Sequence, residues 1–484
     1  MSRGAATLLA TVAMSSIAQG QQKPVSFWKE IRPLLTAQCA GCHQPSKAGG
    51  KVILTSYATI LAGGKVVDGQ AEPIVVAGKP DESKLLEVLL PRPGANPGDA
   101  AKPPRMPKGR APLSDAQVAL LSRWIAEGVH DDTPAAAAEQ FTQDHPPLYH
   151  QQPVLTALDF SPDGKLLAVS GYHEVLLYEV GAIGSDVAAN TAAVKLSARL
   201  VGLSERIQSN VFSPDGSELL VVGGSPARFG EVQFWNVAER KLRLSVPVGS
   251  DTLYGGCWSP DGQRVAFGGG DNSVRAISAD KGEALFFNAA SEDIALDTTF
   301  SSDGSHLVSV GRDRALKLFE VATQQFVDNI TSITPGALKG GLIALDRRPG
   351  TDELLIGGAD GTPKTYKTFR TQKREIGDDF NLLKSYAPLA GRLFAAEWSA
   401  DGKNFVVGAS NEGRGEVRWY AVDQEPPLWS LPLPAAVYAA TIRGAAGGAL
   451  IAAGGFDGRV LLIDATNGTI VAAFDAAPIA KTAQ

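Results

Sequence analysis

The sequence predicts a multidomain protein in which a small all-α domain is followed by an all-β domain of seven similar units. Three observations lead to this prediction. Helix signals with caps and apolar faces lie between residues 27 and 128. Beyond residue 153 a short turn sequence recurs at intervals of roughly 42 to 52 residues, near the period of a four-stranded propeller blade. The chain of 484 residues also exceeds one ordinary domain, which holds about 150 residues.

Composition agrees with this organisation and limits the function classes. The formal net charge of −6 gives no reason to expect a nucleic-acid partner. The 52 glycines suit an all-β body that is rich in turns. Neither observation identifies a chemistry, so the function has to be inferred from motifs.

The first residues read as a secretory signal peptide, which we predict over residues 1–18. Arg3 supplies a positive n-region, Ala5 to Ala13 an apolar h-region, and Ser16-Ile17-Ala18 fits the small-x-small cleavage pattern. The apolar run is far shorter than the roughly 20 residues that span a bilayer. We therefore expect an exported, periplasmic protein that is soluble after cleavage and has no membrane span.

The motif on which the functional prediction depends is Cys39-Ala40-Gly41-Cys42-His43. Two cysteines three apart followed by histidine are the attachment signature of a c-type haem. Each thiol adds to one vinyl group of the porphyrin, and the histidine is then positioned to bind the iron. The sequence therefore predicts one covalent haem c on Cys39 and Cys42, with His43 as an axial ligand.

Three other interpretations of the two thiols were considered. Cys39 and Cys42 could form a small disulfide, a redox-active dithiol, or half of a zinc site. Zinc would need a second ligand pair, and the only other cysteine in the chain of three is Cys257, which is distant in sequence. A thioredoxin-type dithiol would follow a strand, whereas this motif follows the amphipathic run Phe27 to Leu35.

The first domain is predicted to cover residues 21–132. The amphipathic run at its start predicts a helix that ends at the haem motif. A second helix start is marked by the segment from Lys79 to Ser83. The last helix has Ser114 as N-cap and Gln117 as its capping-box partner, and Gly128 ends it.

This layout resembles class I cytochrome c, in which a methionine on the loop before the last helix is the distal iron ligand. By that resemblance Met106 is the second axial ligand. It is also the only methionine outside the predicted signal peptide, because the other two are Met1 and Met14. A sulfur donor opposite histidine stabilises reduced iron. His130, just past the helix, is the rival ligand.

More narrowly, the domain looks like the planctomycete-type cytochrome c domain. The residues that carry this resemblance are the haem motif, Lys47 to Gly50, Ala77-Gly78-Lys79-Pro80 with Ser83, Met106-Pro107-Lys108-Gly109, and Leu113-Ser114 through Trp124-Ile125 to Gly128. The resemblance implies a haem protein, and such domains are commonly joined to other extracytoplasmic modules. Residues 133–152 follow as a predicted linker, in which His145 and His150 are expected to be exposed.

The second domain is predicted over residues 153–477. Its repeated turn sequence is clearest in five copies: Asp159-Phe160-Ser161-Pro162-Asp163-Gly164, Phe212-Ser213-Pro214-Asp215-Gly216, Trp258-Ser259-Pro260-Asp261-Gly262, Phe300-Ser301-Ser302-Asp303-Gly304 and Trp398-Ser399-Ala400-Asp401-Gly402. Weaker copies begin at Arg348 and Gly444. Apolar residues alternate with period two on both sides of each turn, as in half-buried strands.

Seven such units fit a closed seven-bladed β-propeller that resembles the WD-repeat family. The resemblance is incomplete, since the usual Trp-Asp ending appears only in relatives such as Trp235-Asn236. The last unit is expected to supply its own outer strand, Thr469 to Phe474. Closure of the ring by strand exchange is therefore an open question.

The polar residues of the propeller are expected to be structural. The turn aspartates Asp163, Asp215, Asp261, Asp303 and Asp401 should cap their own backbone, and so should Asp271, Asp313, Asp360 and Asp457 in the next turn. Cys257 is expected to pack as a small buried hydrophobe. His173 and His306 are isolated from any nucleophile and acid that would complete a catalytic set.

The predicted function is periplasmic electron transfer by one haem, with the propeller as a scaffold that docks a partner. A haem held by both His43 and Met106 has no open iron position, so we expect an electron carrier rather than a catalyst. The first alternative is a propeller-based oxidoreductase that passes substrate electrons to its own haem. The second is a redox sensor whose propeller binds partners according to the iron oxidation state.

Overall fold

The computed structural model describes residues 23–44, 47–67, 70–93, 102–134, 141–184, 186–332, 339–375, 377–444 and 448–480. The predicted signal peptide at residues 1–18 lies outside these described residues, as does most of the weak repeat copy after Gly444. Within the described ranges, no helix is both long and apolar enough to cross a membrane.

The N-terminal unit, residues 23–134, contains short helices and two pairs of two-residue strands. Its α-helices are α1 (Arg32–Gln38), α2 (Tyr57–Leu61), α3 (Lys84–Leu89) and α4 (Asp115–Ala126). Its strands are β1 (His43–Gln44), β2 (Lys47–Ala48), β3 (Val66–Val67) and β4 (Gln70–Ala71). A π-helical turn, Phe27–Ile31, leads into α1, and 3-10 turns lie at Gly49–Lys51 and Pro80–Glu82.

The predicted helix signals are found where expected. The first helical run ends at Cys39, whose N–H bonds to the Leu35 carbonyl. In α4 the Ser114 side chain accepts from the Gln117 N–H while the Gln117 side chain accepts from the Ser114 N–H. This reciprocal capping box was predicted from sequence, and it fixes the start of the helix.

One hydrophobic core holds the N-terminal unit together. Trp124 of α4 is fully buried and stacks on Phe27 with 5.5 Å between ring centroids. Ile31 and Leu121 are fully buried in the same core. Because residues from both ends of the unit meet here, the core ties the first helical run to α4.

The remaining described strands form seven four-stranded antiparallel blades, two of which share a strand, and this confirms the propeller part of the predicted architecture. Blades 1 and 2 contain β5 (Leu158–Phe160), β6 (Leu166–Ser170), β7 (Tyr172–Glu179), β8 (Lys195–Phe212), β9 (Glu218–Ser225), β10 (Phe229–Asn236) and β11 (Lys241–Val248). Blade 3 contains β12 (Leu253–Trp258), β13 (Arg264–Gly269), β14 (Val274–Ser278) and β15 (Ala284–Asn288). Blade 4 contains β16 (Ala295–Phe300), β17 (His306–Gly311), β18 (Leu316–Glu320) and β19 (Gln325–Asn329).

The last three blades complete the ring. Blade 5 contains β20 (Leu342–Arg347), β21 (Glu353–Gly358), β22 (Lys364–Lys367) and β23 (Leu382–Ser385). Blade 6 contains β24 (Arg392–Trp398), β25 (Asn404–Asn411), β26 (Arg414–Ala421) and β27 (Trp429–Leu433). Blade 7 contains β28 (Val437–Arg443), β29 (Leu450–Gly455), β30 (Arg459–Asp464) and β31 (Thr469–Asp475). The first strands of successive blades contact one another, so they line the centre of the ring.

Blades 1 and 2 share one continuous strand, which the sequence did not predict. Strand β8 pairs with β7 through residues 195–201 and with β9 through residues 206–212. It is therefore both the outer strand of blade 1 and the inner strand of blade 2. A short helix, α5 (Val187–Ala193), precedes β8 and packs on β31 of blade 7.

The ring closes without strand exchange, because blade 7 supplies its own outer strand β31, as predicted. Closure comes from segments at the ends of the domain. Tyr149 pairs with Ile479 in a parallel bridge, and the Gln152 side chain exchanges two hydrogen bonds with the Ala477 backbone. The Leu155 N–H donates to the Gly455 carbonyl at 2.9 Å. The end of the predicted linker is thus part of the propeller.

Candidate functional site

The haem motif forms a tight turn directly after α1. The N–H groups of Cys42 and His43 both donate to the Cys39 carbonyl, each at 3.1 Å. Cys39 is half-buried and Cys42 is exposed, and both thiols are unbonded. The turn therefore brings the two thiols and the histidine, which are adjacent in sequence, to one side of the N-terminal unit.

His43 is held by a backbone hydrogen bond on one ring nitrogen. Its Nδ1 lies 3.2 Å from the Val52 carbonyl oxygen. With a proton on Nδ1, this contact is a hydrogen bond and the lone pair for a metal is on Nε2. Histidines that bind metals usually have this arrangement, since the second bond fixes the tautomer and the ring orientation.

The Lys47–Gly50 segment packs against the motif from the other side. The Gly49 N–H donates to the Cys42 carbonyl at 2.7 Å. A Cβ on Gly49 would lie 2.9 Å from that oxygen and 3.5 Å from Cε1 of His43. Only glycine fits this approach, so the residue leaves space beside the imidazole.

Met106 lies against the same core as Cys39. Both side chains are half-buried and pack on the hydrophobic cluster that contains Trp124. The Met106 N–H donates to the Val88 carbonyl at 3.0 Å, which attaches its loop to the end of α3. The rival ligand His130 is exposed, and its carbonyl accepts a hydrogen bond from the Trp124 indole.

Two of the three alternative interpretations of the thiols, the redox-active dithiol and the zinc site, have little support in this geometry. Burial raises the pKa of the Cys39 thiol to about 12, whereas an activated dithiol requires a lowered pKa. Among the described residues, no group of three or more His, Cys, Asp or Glu side chains could hold a metal ion. The donor set of two thiols, an oriented imidazole and a thioether fits a covalent haem c.

The turn aspartates of the propeller behave as predicted. Oδ1 of Asp163 accepts from the Ser161 hydroxyl at 2.7 Å and from the Lys165 N–H at 3.1 Å. The same pair of bonds recurs at the turn aspartates of blades 2, 3, 4 and 6: Asp215, Asp261, Asp303 and Asp401. They stabilise their own turns.

The other singled-out propeller residues are also held by local contacts. Sγ of Cys257 lies 3.3 Å from Oγ1 of Thr298, and burial raises the pKa of its thiol to about 12. His306 contacts the Ser305 hydroxyl. His173 contacts the rings of Tyr172 and Phe141, and burial lowers its pKa to about 4.

Sequence reasoning missed four half-buried acidic residues that connect neighbouring blades. They are Asp159, Asp297, Asp346 and Glu397, on the inner strands of blades 1, 4, 5 and 6. Each carboxylate accepts a backbone N–H from the inner strand of the next blade, with distances of 2.6 to 2.9 Å. A signal was available in Asp159 and Glu397, since an acid precedes the aromatic residue of the repeated turn.

Burial raises the pKa of each of these acids. The pKa rises to about 7 for Asp159 and Asp297 and to about 6 for Asp346, and for Glu397 it lies well above its usual range. The negative charge of Asp346 contributes to the rise at the other three. These groups join neighbouring blades.

Comparison with known proteins supports the propeller. The family model described as "WD domain, G-beta repeat" matches residues 147–177, which include the first three strands of blade 1 almost completely. The chain is 24% identical over 220 residues to the WD repeat-containing protein 26 homolog of Arabidopsis thaliana. The match covers 45% of this chain and 35% of that relative, so it spans about a third of the relative's length. With seven four-stranded blades, these matches support a domain like the WD-repeat β-propeller.

Proposed function

We propose that this chain is an exported electron-transfer protein that carries one covalent haem c and uses its propeller to dock a redox partner. The observation that carries the proposal is the turn Cys39-Ala40-Gly41-Cys42-His43 with Nδ1 of His43 bonded to the Val52 carbonyl. In this proposal Cys39 and Cys42 hold the porphyrin, and His43 and Met106 bind the iron. When bound, the haem accepts and releases single electrons.

Val52, His43 and Met106 have distinct parts in this function. The Val52 carbonyl holds the His43 ring through Nδ1, so that Nε2 would be the atom to bind the iron. Met106, on the apolar core, supplies a thioether that favours the reduced state. Occupation of both axial positions leaves no coordination site for a small substrate, which is why we propose electron transfer rather than catalysis.

Covalent attachment is the first test. The full chain should be expressed with a c-type haem maturation system, denatured, and examined for colour that migrates with the polypeptide. We expect Cys42→Ser to lose at least one thioether bond, while Cys257→Ser, the matched control outside the motif, keeps the full haem content. A colourless wild-type chain would refute the proposal.

The distal ligand is tested by the visible spectrum of the oxidised holoprotein. We expect a sulfur-to-iron charge-transfer band that disappears in Met106→Ala. Reduced wild-type protein should also fail to bind carbon monoxide at neutral pH, because Met106 closes the site, and Met106→Ala should bind it. Persistence of the charge-transfer band in the variant would exclude Met106 as the ligand.

A docking role for the propeller is supported by its WD-repeat character and by apolar side chains on its rim. Phe287 of β15 is 52% exposed, and Phe326 of β19 is exposed on the neighbouring blade. The two outer strands are joined by a hydrogen bond of 2.9 Å from the Asn288 side chain to the Gln324 carbonyl. Exposed apolar outer strands are suited to contact with another protein.

This role is tested by the rate at which the haem is reduced in a soluble periplasmic extract that contains the natural donor. We expect the double variant Phe287→Ser/Phe326→Ser to slow reduction without altering the spectrum. The matched control is Phe456→Ser, since Phe456 is 61% exposed on blade 7. Equal rates for both variants and wild type would exclude this rim as the docking surface.

A further inference from the structure

The loop that carries the haem motif is packed against blade 2 of the propeller. Gly41, between the two cysteines, is buried, and a Cβ there would lie 2.4 Å from the Ser245 carbonyl oxygen of β11. Nζ of Lys47 donates to the Arg243 carbonyl of the same strand at 2.5 Å. The outer strand of blade 2 therefore forms one wall of the motif.

A buried hydrogen-bond network continues this contact. Gln44 follows His43 directly and is fully buried. Its Nε2 donates to the Ala40 carbonyl at 3.1 Å, inside the motif, and to Oε1 of Glu231 at 3.4 Å, in β10. One amide group thus connects the turn that carries the cysteines to the propeller.

Glu231 is the centre of the network. Its side chain is fully buried and accepts hydrogen bonds from the Ser204 hydroxyl at 2.7 Å, the Gln233 amide at 2.7 Å and the Ser245 hydroxyl. With Gln44 this makes four donors on one side chain. An ionised carboxylate matches such a set because it only accepts hydrogen bonds.

Two further contacts join the N-terminal unit to blade 2. Arg110 donates to the Ala37 carbonyl of α1 at 3.2 Å and to the Pro247 carbonyl of β11 at 3.4 Å. On the other side, the guanidinium of Arg228, between β9 and β10, lies 5.4 Å from the Trp28 ring centroid. The motif is therefore held between two further attachments to blade 2.

From this arrangement we propose that blade 2 is part of the haem site, with Glu231 as a positioning residue that acts on His43 through Gln44. The haem part of this inference rests on the proposed function; the positioning of the loop does not. The buried carboxylate fixes the turn that carries Cys42 and His43. With the haem bound, an ionised carboxylate at this buried position would also favour the oxidised, more positive iron.

The test uses the full chain in three forms: wild type, Glu231→Gln and Glu174→Gln. Glu174 is the matched control, since it is equally buried and accepts from Tyr149 and Arg199 in blade 1, outside this network. We expect Glu231→Gln to raise the haem reduction potential and to accelerate amide hydrogen exchange of residues 41–44 by about tenfold or more. Glu174→Gln should change neither quantity.

Unchanged potential and unchanged exchange in Glu231→Gln would overturn the proposal, and so would equal changes in Glu174→Gln. If Glu231→Gln fails to fold, Gly41→Ala replaces it, because the added Cβ pushes the turn away from Ser245 and leaves the cysteines and histidine intact. If the wild-type chain carries no haem, the proposed function fails, and the exchange of residues 41–44 in the haem-free chain still decides the positioning role.

Discussion

In the N-terminal unit, Cys39 and Met106 lie half-buried against one hydrophobic core, and His43 is half-buried in the turn that follows Cys39. In the propeller, by contrast, the carboxylates of Asp159, Asp297, Asp346 and Glu397 accept backbone N–H groups of the next blade. In the first set, Nε2 of His43 is left to bind a ligand because only Nδ1 is bonded to the backbone, whereas in the second set the carboxylates hold the backbone of a neighbouring blade. The atoms that each polar group contacts therefore distinguish a candidate ligand-binding group from a group that stabilises the fold.

The largest effect is expected in the core of the N-terminal unit. Trp124→Ala removes a fully buried indole and should cost about 3–5 kcal/mol of unfolding free energy. Hydrogen exchange should show the loss in α4 while the amides of the propeller strands stay protected. Leu120→Ala, a half-buried position on the same helix, is the control and should cost less. If the propeller strands lost protection to the same extent as α4, the two regions would unfold as one unit, and the contrast between them would be wrong.

The next effect concerns the contact between blades 1 and 2. Asp159→Ala leaves the Phe212 N–H without its acceptor at 2.6 Å and should cost about 1–3 kcal/mol of stability. Chemical denaturation would measure this loss. The control is Asp163→Ala in the same blade, where the exposed turn aspartate should contribute less. Equal losses would mean that burial does not distinguish the two carboxylates.

A smaller effect is expected in the pH dependence of stability. The folded pKa values of Asp159, Asp297 and Asp346, about 7, 7 and 6, exceed the ordinary aspartate value of 3.8. The folded protein therefore binds more protons than the unfolded chain between about pH 4 and pH 7, so this contribution falls as the pH rises through that window. Asp346→Asn should flatten the fall, and denaturation midpoints at about pH 4 and pH 8, which bracket this window, would show it.

The smallest effect has the opposite sign. Hydrogen bonds from Ser301 and Ser305 lower the pKa of the exposed Asp303 well below its usual range. Its contribution is present above its ordinary pKa and is lost as the pH falls towards the folded pKa, so Asp303→Asn should slightly weaken the protein at pH 7 and weaken it less at pH 2.5. Thermal denaturation at pH 7 and pH 2.5 would measure the difference. A larger shift than that of Asp346→Asn would contradict the ranking.

Much of the architecture was predictable because its signals are local. The repeated Ser-Pro-Asp-Gly turns predicted the blades, and the capping box of Ser114 and Gln117 predicted the last helix of the N-terminal unit. The cysteines and histidine of the haem motif are adjacent in sequence, and the turn they form is described; the haem itself stays a prediction. The contacts of Gln44 with Glu231 and of Tyr149 with Ile479 join residues far apart in the chain, and no periodicity indicates such pairs. The length of β8 was missed because its two halves read as separate strands.

Strand β8 has a mechanical consequence. Its 18 residues run through both blade 1 and blade 2, a contour of about 60 Å of extended backbone. A hinge motion between these two blades would have to disrupt the pairing of this strand. We therefore expect blades 1 and 2 to move as one rigid body. The N-terminal unit packs against blade 2. Its orientation relative to blades 1 and 2 should therefore stay the same when blades on the opposite side of the ring are destabilised.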